Sequence, residues 1–416
     1  MVLLKKRLCI NGAKMTLVVD PESTLVEVLR GQLHMTGTKV SCGKAQCGAC
    51  NVIMNGRLIF SCATKMKRVP DDAEITTIEG IGTPSNPHPL QLAFAKHGAV
   101  QCGFCSPGFI VSSKAFLDSN PNPTRDEARD WFQKHKNLCR CTGYKQIVDA
   151  VMDAARVLRG EASIDELKFK MPENGKIYGT EYPRPTAIPK ATGTIEYGAD
   201  LALKMPPETL QLKLVQAKVH HANIISIDTA EAEKMPGVYK ILTWKDVKGT
   251  NRICMGNFPA NKGDGLERPI INDKKVFQYG DVLAIVCADT EANAQAAVEK
   301  VKVELEVLPA YMSVAEAMDP EAIEIHPGTP NVYFRQLQVK GEDTKPIIEK
   351  ADYEVSIEDY VIGRQPHLPL EADNALAYFD EEGRLCISSK AIALAVLQDA
   401  IAGGIGLDPE KIVIMQ

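Results

Sequence analysis

The sequence predicts a multidomain α+β fold, in which a β-grasp-like unit, a four-helix bundle and a mixed α/β remainder follow one another. Three observations support this. Apolar residues recur with period two up to about residue 80, then with period 3.6 from 87 to 160. Beyond about 195, strand and helix patterns alternate. Nine of the twelve cysteines fall before residue 142, eight of them in two groups of four. At 416 residues the chain is also too long for one ordinary domain.

The elements follow in order. Leu8 and Ile10, the pair Asn11-Gly12, then Met15, Leu17 and Val19 predict a hairpin with a tight turn. Thr24 and Glu27 form a capping-box pattern ahead of Leu25, Val28, Leu29 and Leu33, a short amphipathic helix. A second hairpin turns at Asn55-Gly56, between Val52–Met54 and Leu58–Phe60. Two hairpins on one helix make the β-grasp-like layout. Helices are then predicted over 89–97, over 107–117, after the Thr124/Glu127 cap, and over 144–158. The last carries Ile147, Val151, Ala155 and Leu158 on one stripe, with Gly160 as its stop. Residues 160–195 hold Pro172, Pro183, Pro185 and Pro189 without clear period, and read as an extended connector. A strand over 281–288, a helix over 290–301 and a strand over 302–308 come next. A further α/β stretch closes on an apolar strand at 411–415.

Composition narrows the function classes. With 45% hydrophobic residues, 24% charged residues and a net charge of -5, the chain reads as a soluble globular protein suited to neither nucleic acid nor an anionic membrane. No apolar run approaches the roughly 18 residues that span a bilayer. The basic start, Met1 to Arg7, leads into a strand pattern rather than an export signal, which predicts a cytoplasmic, reducing location. Cysteines there serve metals more often than disulfides. Cys9, Cys254, Cys287 and Cys386 sit singly in apolar stretches and are read as packing residues.

The two groups differ in pattern. Cys42, Cys47, Cys50 and Cys62 read C-x4-C-x2-C-x11-C, the plant-type spacing of a 2Fe–2S cluster. Three cysteines crowd one loop, whereas structural zinc favours two short knuckles well apart. Gly43 and Gly48 beside the ligands let the backbone fold around a cluster and turn N–H groups toward sulfur. In the second group, Cys102 and Cys105 stand at a helix start, where free N–H groups favour negative charge. Cys139 and Cys141 lie between the third and fourth helices. Alone, this C-x2-C and C-x-C pairing would also suit zinc; beside the first group it reads as a second 2Fe–2S site. The neighbours His220 and His221 point to opposite faces of a strand and share no metal. His88, His97 and His135 read as surface or capping residues. Walker, Rossmann and Ser/His/Asp signatures are missing.

Cys42-Gly-Lys-Ala-Gln-Cys47-Gly-Ala-Cys50, Gln101-Cys-Gly-Phe-Cys-Ser-Pro-Gly108 and Cys139-Arg-Cys-Thr-Gly-Tyr144 closely resemble the xanthine oxidase family of molybdenum hydroxylases. Asp130-Trp-Phe-Gln-Lys-His135, Tyr182-Pro-Arg-Pro185, Phe277-Gln-Tyr-Gly280 and the stretch Ile325 to Tyr333 resemble its bacterial aldehyde oxidoreductases of the sulfate-reducer type. The resemblance spans essentially the whole chain. It implies a plant-type ferredoxin-like domain at 1–80 and a helical 2Fe–2S domain at 81–160. A connector would cover 161–195, an α/β hammerhead domain 196–310, and the beginning of a molybdopterin-binding region 311–416.

The resemblance also implies roles. The eight cysteines would hold two 2Fe–2S clusters, and Gln101 and Cys141 match positions that contact the pterin. The helical-domain cluster would take electrons from molybdenum, and the ferredoxin-like cluster would pass them outward. The reaction would be oxidation of an aldehyde to a carboxylic acid, with water as the oxygen donor. Some members insert a flavin domain where this chain has only the connector. No FAD is therefore expected, and electrons would leave to an external acceptor such as a ferredoxin or flavodoxin. A homodimer is expected. The glycine-rich cofactor loop and the catalytic glutamate of relatives lie beyond this sequence, so the catalytic residues stay unassigned. The expectation is a fragment of a polypeptide about twice as long, or a second subunit that supplies the molybdenum site. Three other readings remain: a non-catalytic electron-transfer subunit of a split molybdenum hydroxylase, a purine-type hydroxylase of the same family, and a zinc-stabilised scaffold.

Overall fold

The computed structural model describes residues 3–253, 268–332, 337–357, 360–391 and 393–415. The chain divides into two compact units. One runs up to Lys204 and takes in Gly363–Asn374; the other comprises Met205–Ile362 and the stretch from Ala375 onward.

The first unit opens with the predicted hairpin, β1 (Leu4–Ile10) and β2 (Ala13–Val19). Asn11 and Gly12 both have positive φ, 50° and 83°. That is the backbone a two-residue hairpin turn needs to match strand twist. The second hairpin, β3 (Asn51–Met54) and β4 (Arg57–Phe60), turns the same way at Asn55-Gly56. With β5 (Ala73–Thr76) they form one sheet in the order β2-β1-β5-β3-β4, with β1 and β5 parallel. Leu8, Ile10, Leu17, Val19, Leu25, Leu29, Val52 and Ile75 form its core.

Thr24 and Glu27 make the predicted capping box. The helix itself is shorter than its apolar stripe suggests. One α turn, α1 (Leu25–Glu27), gives way to a wider π turn over Val28–Gln32, in which the Leu33 N–H reaches back to the Val28 carbonyl at 3.0 Å. The Arg30 guanidinium then donates to the carbonyls of Thr36 and Thr38. This bends the chain into the first cysteine loop.

The bundle consists of α2 (Pro89–Lys96), α3 (Ser106–Ser119), α4 (Arg125–Lys134) and α5 (Lys145–Leu158). His88 caps α2 through Nδ1, and Thr124 with Glu127 caps α4. α3 is buried along nearly its whole length, packed against β3 on one side and against α2 and α4 on the others, while α5 packs on α2 and α4. Phe109 of α3 meets Phe132 of α4 edge-on at 5.0 Å. Leu158, expected on the buried stripe of α5, is exposed at the helix end.

The connector is not wholly extended. After a 3-10 turn at Ile164–Leu167, it coils into α6 (Ala187–Ala191), and α7 (Gly198–Ala202) follows directly after it; Ala187, Ala191 and Asp200 are buried. Short helices of this size have too few turns to show a period, so proline content dominated the sequence signal.

In the second unit, β6 (Gln211–Gln216), β7 (Ala222–Asp228) and β8 (Val238–Leu242) precede two very short strands, β9 (Arg252–Ile253) and β10 (Arg268–Pro269). Then come β11 (Lys275–Val276), β12 (Val282–Ala288), the helix α8 (Glu291–Val298) and β13 (Lys302–Val307). β9 and β10 pair with each other, and the other strands form two three-stranded sheets, β6-β12-β8 and β11-β7-β13. A third sheet orders β14 (Ala375–Phe379), β15 (Leu385–Ser389) and β16 (Ile412–Met415), with β15 and β16 parallel. No helix among the described residues is long and apolar enough to cross a membrane.

Candidate iron–sulfur sites

The first quartet forms on the loop that follows α1. Gly43, Ala45 and Gly48 all take positive φ there, at 60°, 53° and 70°. This turns successive N–H groups inward, as in an anion-binding nest. Lys44 and Gln46 donate to Cys42 Sγ at 3.4 and 3.3 Å, and Ala45 donates to Cys62 Sγ at 3.4 Å. Cys62, from the end of the second hairpin, closes the site. Cys47, Cys50 and Cys62 are buried and Cys42 is half-buried.

The thiols pair two by two. Cys50 donates to Cys62, which lowers the Cys62 pKa to about 6 and pushes Cys50 up. Cys42 and Cys47 form the other pair. Burial opposes ionisation of Cys42, but backbone donors from Lys44 and Gln46 and the Cys47 thiol outweigh it. Burial pushes Cys47 up.

The second quartet is built from the start of α3 and the turn between α4 and α5. It pairs in the same manner. Cys141 and Cys102 have their sulfurs 3.6 Å apart, and both are exposed. Cys105 and Cys139 are buried free thiols hydrogen-bonded to each other, which lowers Cys139 to about 5 and raises Cys105. Burial lifts Cys102 to about 11. Thr142 gives Cys139 two donors, its N–H at 3.4 Å and its hydroxyl at 3.2 Å. Tyr144 takes a positive φ of 70°, uncommon for a non-glycine residue. Its hydroxyl accepts the Cys139 N–H at 3.1 Å, and that contact helps to hold the turn.

This geometry tests what the quartets can hold. Among the described residues, no three side chains converge as ligands of one ion. Each quartet instead supplies two thiol pairs with inward N–H donors. A tetrahedral zinc site would gather all four sulfurs about one point. A 2Fe–2S cluster has two irons, each taking two thiolates, and its sulfurs accept N–H bonds. The donor sets fit the cluster.

The two sites meet at a tight seam. A Cβ on Gly108 of α3 would lie 2.2 Å from the Gly48 carbonyl oxygen, so only glycine admits this approach. The Leu138 N–H donates to the Cys47 carbonyl at 3.0 Å. One hydrogen bond thus joins a residue of the first quartet to the neighbour of Cys139 in the second.

Four family models match the chain in succession. Residues 8–75 match the 2Fe-2S iron-sulfur cluster binding domain, and 77–152 match a 2Fe-2S binding domain. Residues 192–309 match the a/b hammerhead domain of aldehyde oxidase and xanthine dehydrogenase, and 325–416 match the molybdopterin cofactor-binding domain. An aldehyde oxidoreductase of Megalodesulfovibrio gigas is 59% identical over 99% of this chain. The chain spans 46% of that relative's length. The crystal structure of the aldehyde oxidoreductase from Desulfovibrio desulfuricans superposes with a TM-score of 0.93 at 59% identity, covering 99% of this chain and 46% of that one. The nicotine 6-hydroxylase small subunit of Paenarthrobacter nicotinovorans is 42% identical over 35% of this chain and 86% of its own length. The chain belongs to the xanthine oxidase family of molybdenum hydroxylases.

Within this family frame, Gln101 and Cys141 come together through Cys102, next to Gln101 in sequence and paired with Cys141. The Gln101 carbonyl accepts from Lys190 at 3.1 Å. The single cysteines behave as packing residues to different degrees: Cys386 is buried, Cys9 and Cys287 half-buried, and Cys254 lies outside the described residues. His220 packs against the Tyr279 ring, while His221 Nδ1 lies 2.5 Å from the Pro309 carbonyl oxygen. The neighbours therefore engage different partners.

Sequence reading missed a set of residues that clamp the quartets. Asp200 of α7 accepts from Arg30 and Lys39, each at 2.6 Å, and all three are largely buried. The Lys39 ammonium sits 4.8 Å from the centre of the Tyr197 ring, and the Tyr197 hydroxyl donates to the Cys102 carbonyl at 2.7 Å. The stretch just past the connector thus touches elements of both domains. Arg140, between two quartet cysteines, donates to the carbonyls of Pro366 and His367. Such contacts span up to 227 positions and leave no local signal.

Proposed function

We propose that this chain is the electron-relay portion of a molybdenum-dependent aldehyde oxidoreductase. The observation that carries the reading is the pair of thiol quartets, joined through the Leu138 N–H and the Cys47 carbonyl. The 59% identity to an aldehyde oxidoreductase, running through the hammerhead and molybdopterin-binding segments, supplies the reaction class.

Cys42, Cys47, Cys50 and Cys62 would hold the outer cluster; Cys102, Cys105, Cys139 and Cys141 would hold the inner one. Gln101 and Cys141 would contact the pterin, as the family resemblance implies; Cys141 is exposed and Gln101 half-buried. When bound, these groups supply two-electron oxidation of an aldehyde to its acid with water as the oxygen source, and one-electron carriage away from it. The chain's own residues position and insulate. Backbone donors from 44–46 and 142 stabilise negative sulfur. Glycines 48 and 108 bring the two sites within one hydrogen bond. Tyr197, Lys39 and Asp200 hold the stretch that follows the connector against both. The main molybdenum-binding loops would come from a C-terminal continuation or a second subunit. The acceptor would be a small external carrier such as a ferredoxin or flavodoxin, and the assembly a cytoplasmic homodimer.

The test is metal analysis with an activity assay on natively purified protein. We expect about four irons and about one molybdenum per chain, with aldehyde-dependent reduction of an acceptor. Zinc in place of iron would sink the cluster assignment. Iron with molybdenum but turnover of purines only would sink the substrate class.

A further inference from the structure

We propose that the side-chain amide of Asn137, a residue of the helical domain, donates a hydrogen bond to a sulfur of the outer cluster and holds that cluster's reduction potential up. The inference rests on the reading of Cys42, Cys47, Cys50 and Cys62 as its ligands.

Asn137 is 3% exposed, and its amide is oriented from behind. Trp131 Nε1–H donates to Ser112 Oγ at 3.0 Å, and the Ser112 hydroxyl donates to Asn137 Oδ1 at 2.9 Å. Because Ser112 Oγ already accepts from tryptophan, its proton needs an acceptor, and the amide oxygen is that acceptor. A flipped amide would leave the hydroxyl proton without it. The backbone is held as well. The Asn137 N–H bonds to the Phe132 carbonyl at 2.9 Å, and the next N–H bonds to the Cys47 carbonyl.

With Oδ1 committed, Nδ2 faces the ligand loop. A Cβ on Gly48 would sit 2.8 Å from Asn137 Nδ2 and 3.1 Å from its Cα. Gly48 follows Cys47 and stands two residues before Cys50. Nδ2 is buried and has no hydrogen-bond partner. Two N–H donors held this way are costly unless an acceptor arrives. The loaded site supplies one. Cluster sulfurs carry negative charge and accept N–H bonds. The bond strengthens when the cluster gains an electron, so it favours the reduced form and raises the potential. The same residue borders Leu138, so the helical domain would tune the neighbouring cluster from the point where the two sites join.

The experiment is an EPR-monitored redox titration of the full-length holoprotein, comparing wild type with Asn137→Asp and Asn137→Ala. Asn137→Asp keeps the size and the oxygen that Ser112 needs; Asn137→Ala removes the donor without adding charge. The outer-cluster signal is identified as the one lost in Cys47→Ser. Its reduction equilibrium is expected to fall about tenfold in both variants, about 59 mV for one electron, while the inner cluster holds its midpoint. Pulsed EPR on wild type carrying 15N-asparagine should show a nitrogen coupling to the reduced outer cluster. If an Asn137 variant fails to retain iron, that coupling decides: its presence supports the bond and its absence overturns it. Two intact clusters with an unmoved outer midpoint would mean that a trapped water or a protein group takes the amide, and the inference would fall. Wild type without any 2Fe–2S signal would overturn the ligand reading instead.

Discussion

Replacing Asp200 by asparagine should loosen the clamp on both cluster domains far more than its small change in size suggests. The Asp200 carboxylate is 2% exposed and accepts from Arg30 at 2.6 Å and Lys39 at 2.6 Å. It also accepts the Tyr197 N–H at 2.9 Å. Lys39 is 1% exposed, so its ammonium has no water to turn to. Breaking a buried pair by neutralising one partner costs about 3–5 kcal/mol, because the other charge stays buried and uncompensated. For a domain of about 150–250 residues, each kcal/mol moves Tm by about 2–4 °C, so a drop on the order of 10 °C is expected. Cluster absorbance during a thermal scan of the holoprotein reports it.

The control is Asp72→Asn. Arg7 and Asp72 make a similar short pair, but both are more than 60% exposed, and little or no change is expected. A pH signature accompanies the effect. Burial already lowers the Lys39 pKa, and Asp200 opposes that shift. The unfolded chain therefore binds more protons than the folded one between the two Lys39 values, and stability rises with pH across that window. Without Asp200 the folded value falls further, so the window should extend to lower pH. An Asp200→Asn protein that melts like Asp72→Asn would refute the idea of a charged clamp.

Three further outcomes follow from the same geometry. Gly193 has φ 74°, and a Cβ there would lie 2.6 Å from Ile78 Cγ2 and 2.8 Å from the Gly37 Cα. Gly193→Ala should cost about 1–3 kcal/mol, readable as lower urea resistance; unchanged resistance would show that the connector is not seated there. Cys105→Ser should remove the inner cluster's EPR signal and loosen the bundle, since cluster binding and folding are linked; a normal rate of acceptor reduction would reverse the relay order. Asp153 is partly desolvated, which opposes ionisation, but Lys96 and His97 at 2.8 Å hold its carboxyl at about 2. Its contribution is present above the ordinary carboxylate value and is lost as pH falls toward 2. The stability gap between wild type and Asp153→Asn should therefore close in acid, and a constant gap would count against the assignment.

Much of this chain was legible in order along the sequence because its signals are local. Asn11-Gly12 and Asn55-Gly56 demand positive φ, and each made the hairpin turn expected of it. The Thr24/Glu27 and Thr124/Glu127 caps formed as read. The four-helix bundle followed from a 3.6-residue period. The cysteine spacings pointed to two quartets, since three cysteines of the first and two neighbouring pairs of the second lie within short loops. The wrapped end of the connector was not legible, because helices of five residues carry no period.

The sequence by itself determined which residues form elements and which cysteines gather, since backbone conformation and loop closure act over a few residues. Only the tertiary structure decided how the sulfurs pair and that Leu138 meets Cys47. It alone placed Asp200 under Lys39, 161 positions away in sequence, and left Asn137 with a buried donor facing the ligand loop. Those relations arise where separate elements pack and water is excluded. There a charge or an amide must find its partner in space, whatever the distance along the chain.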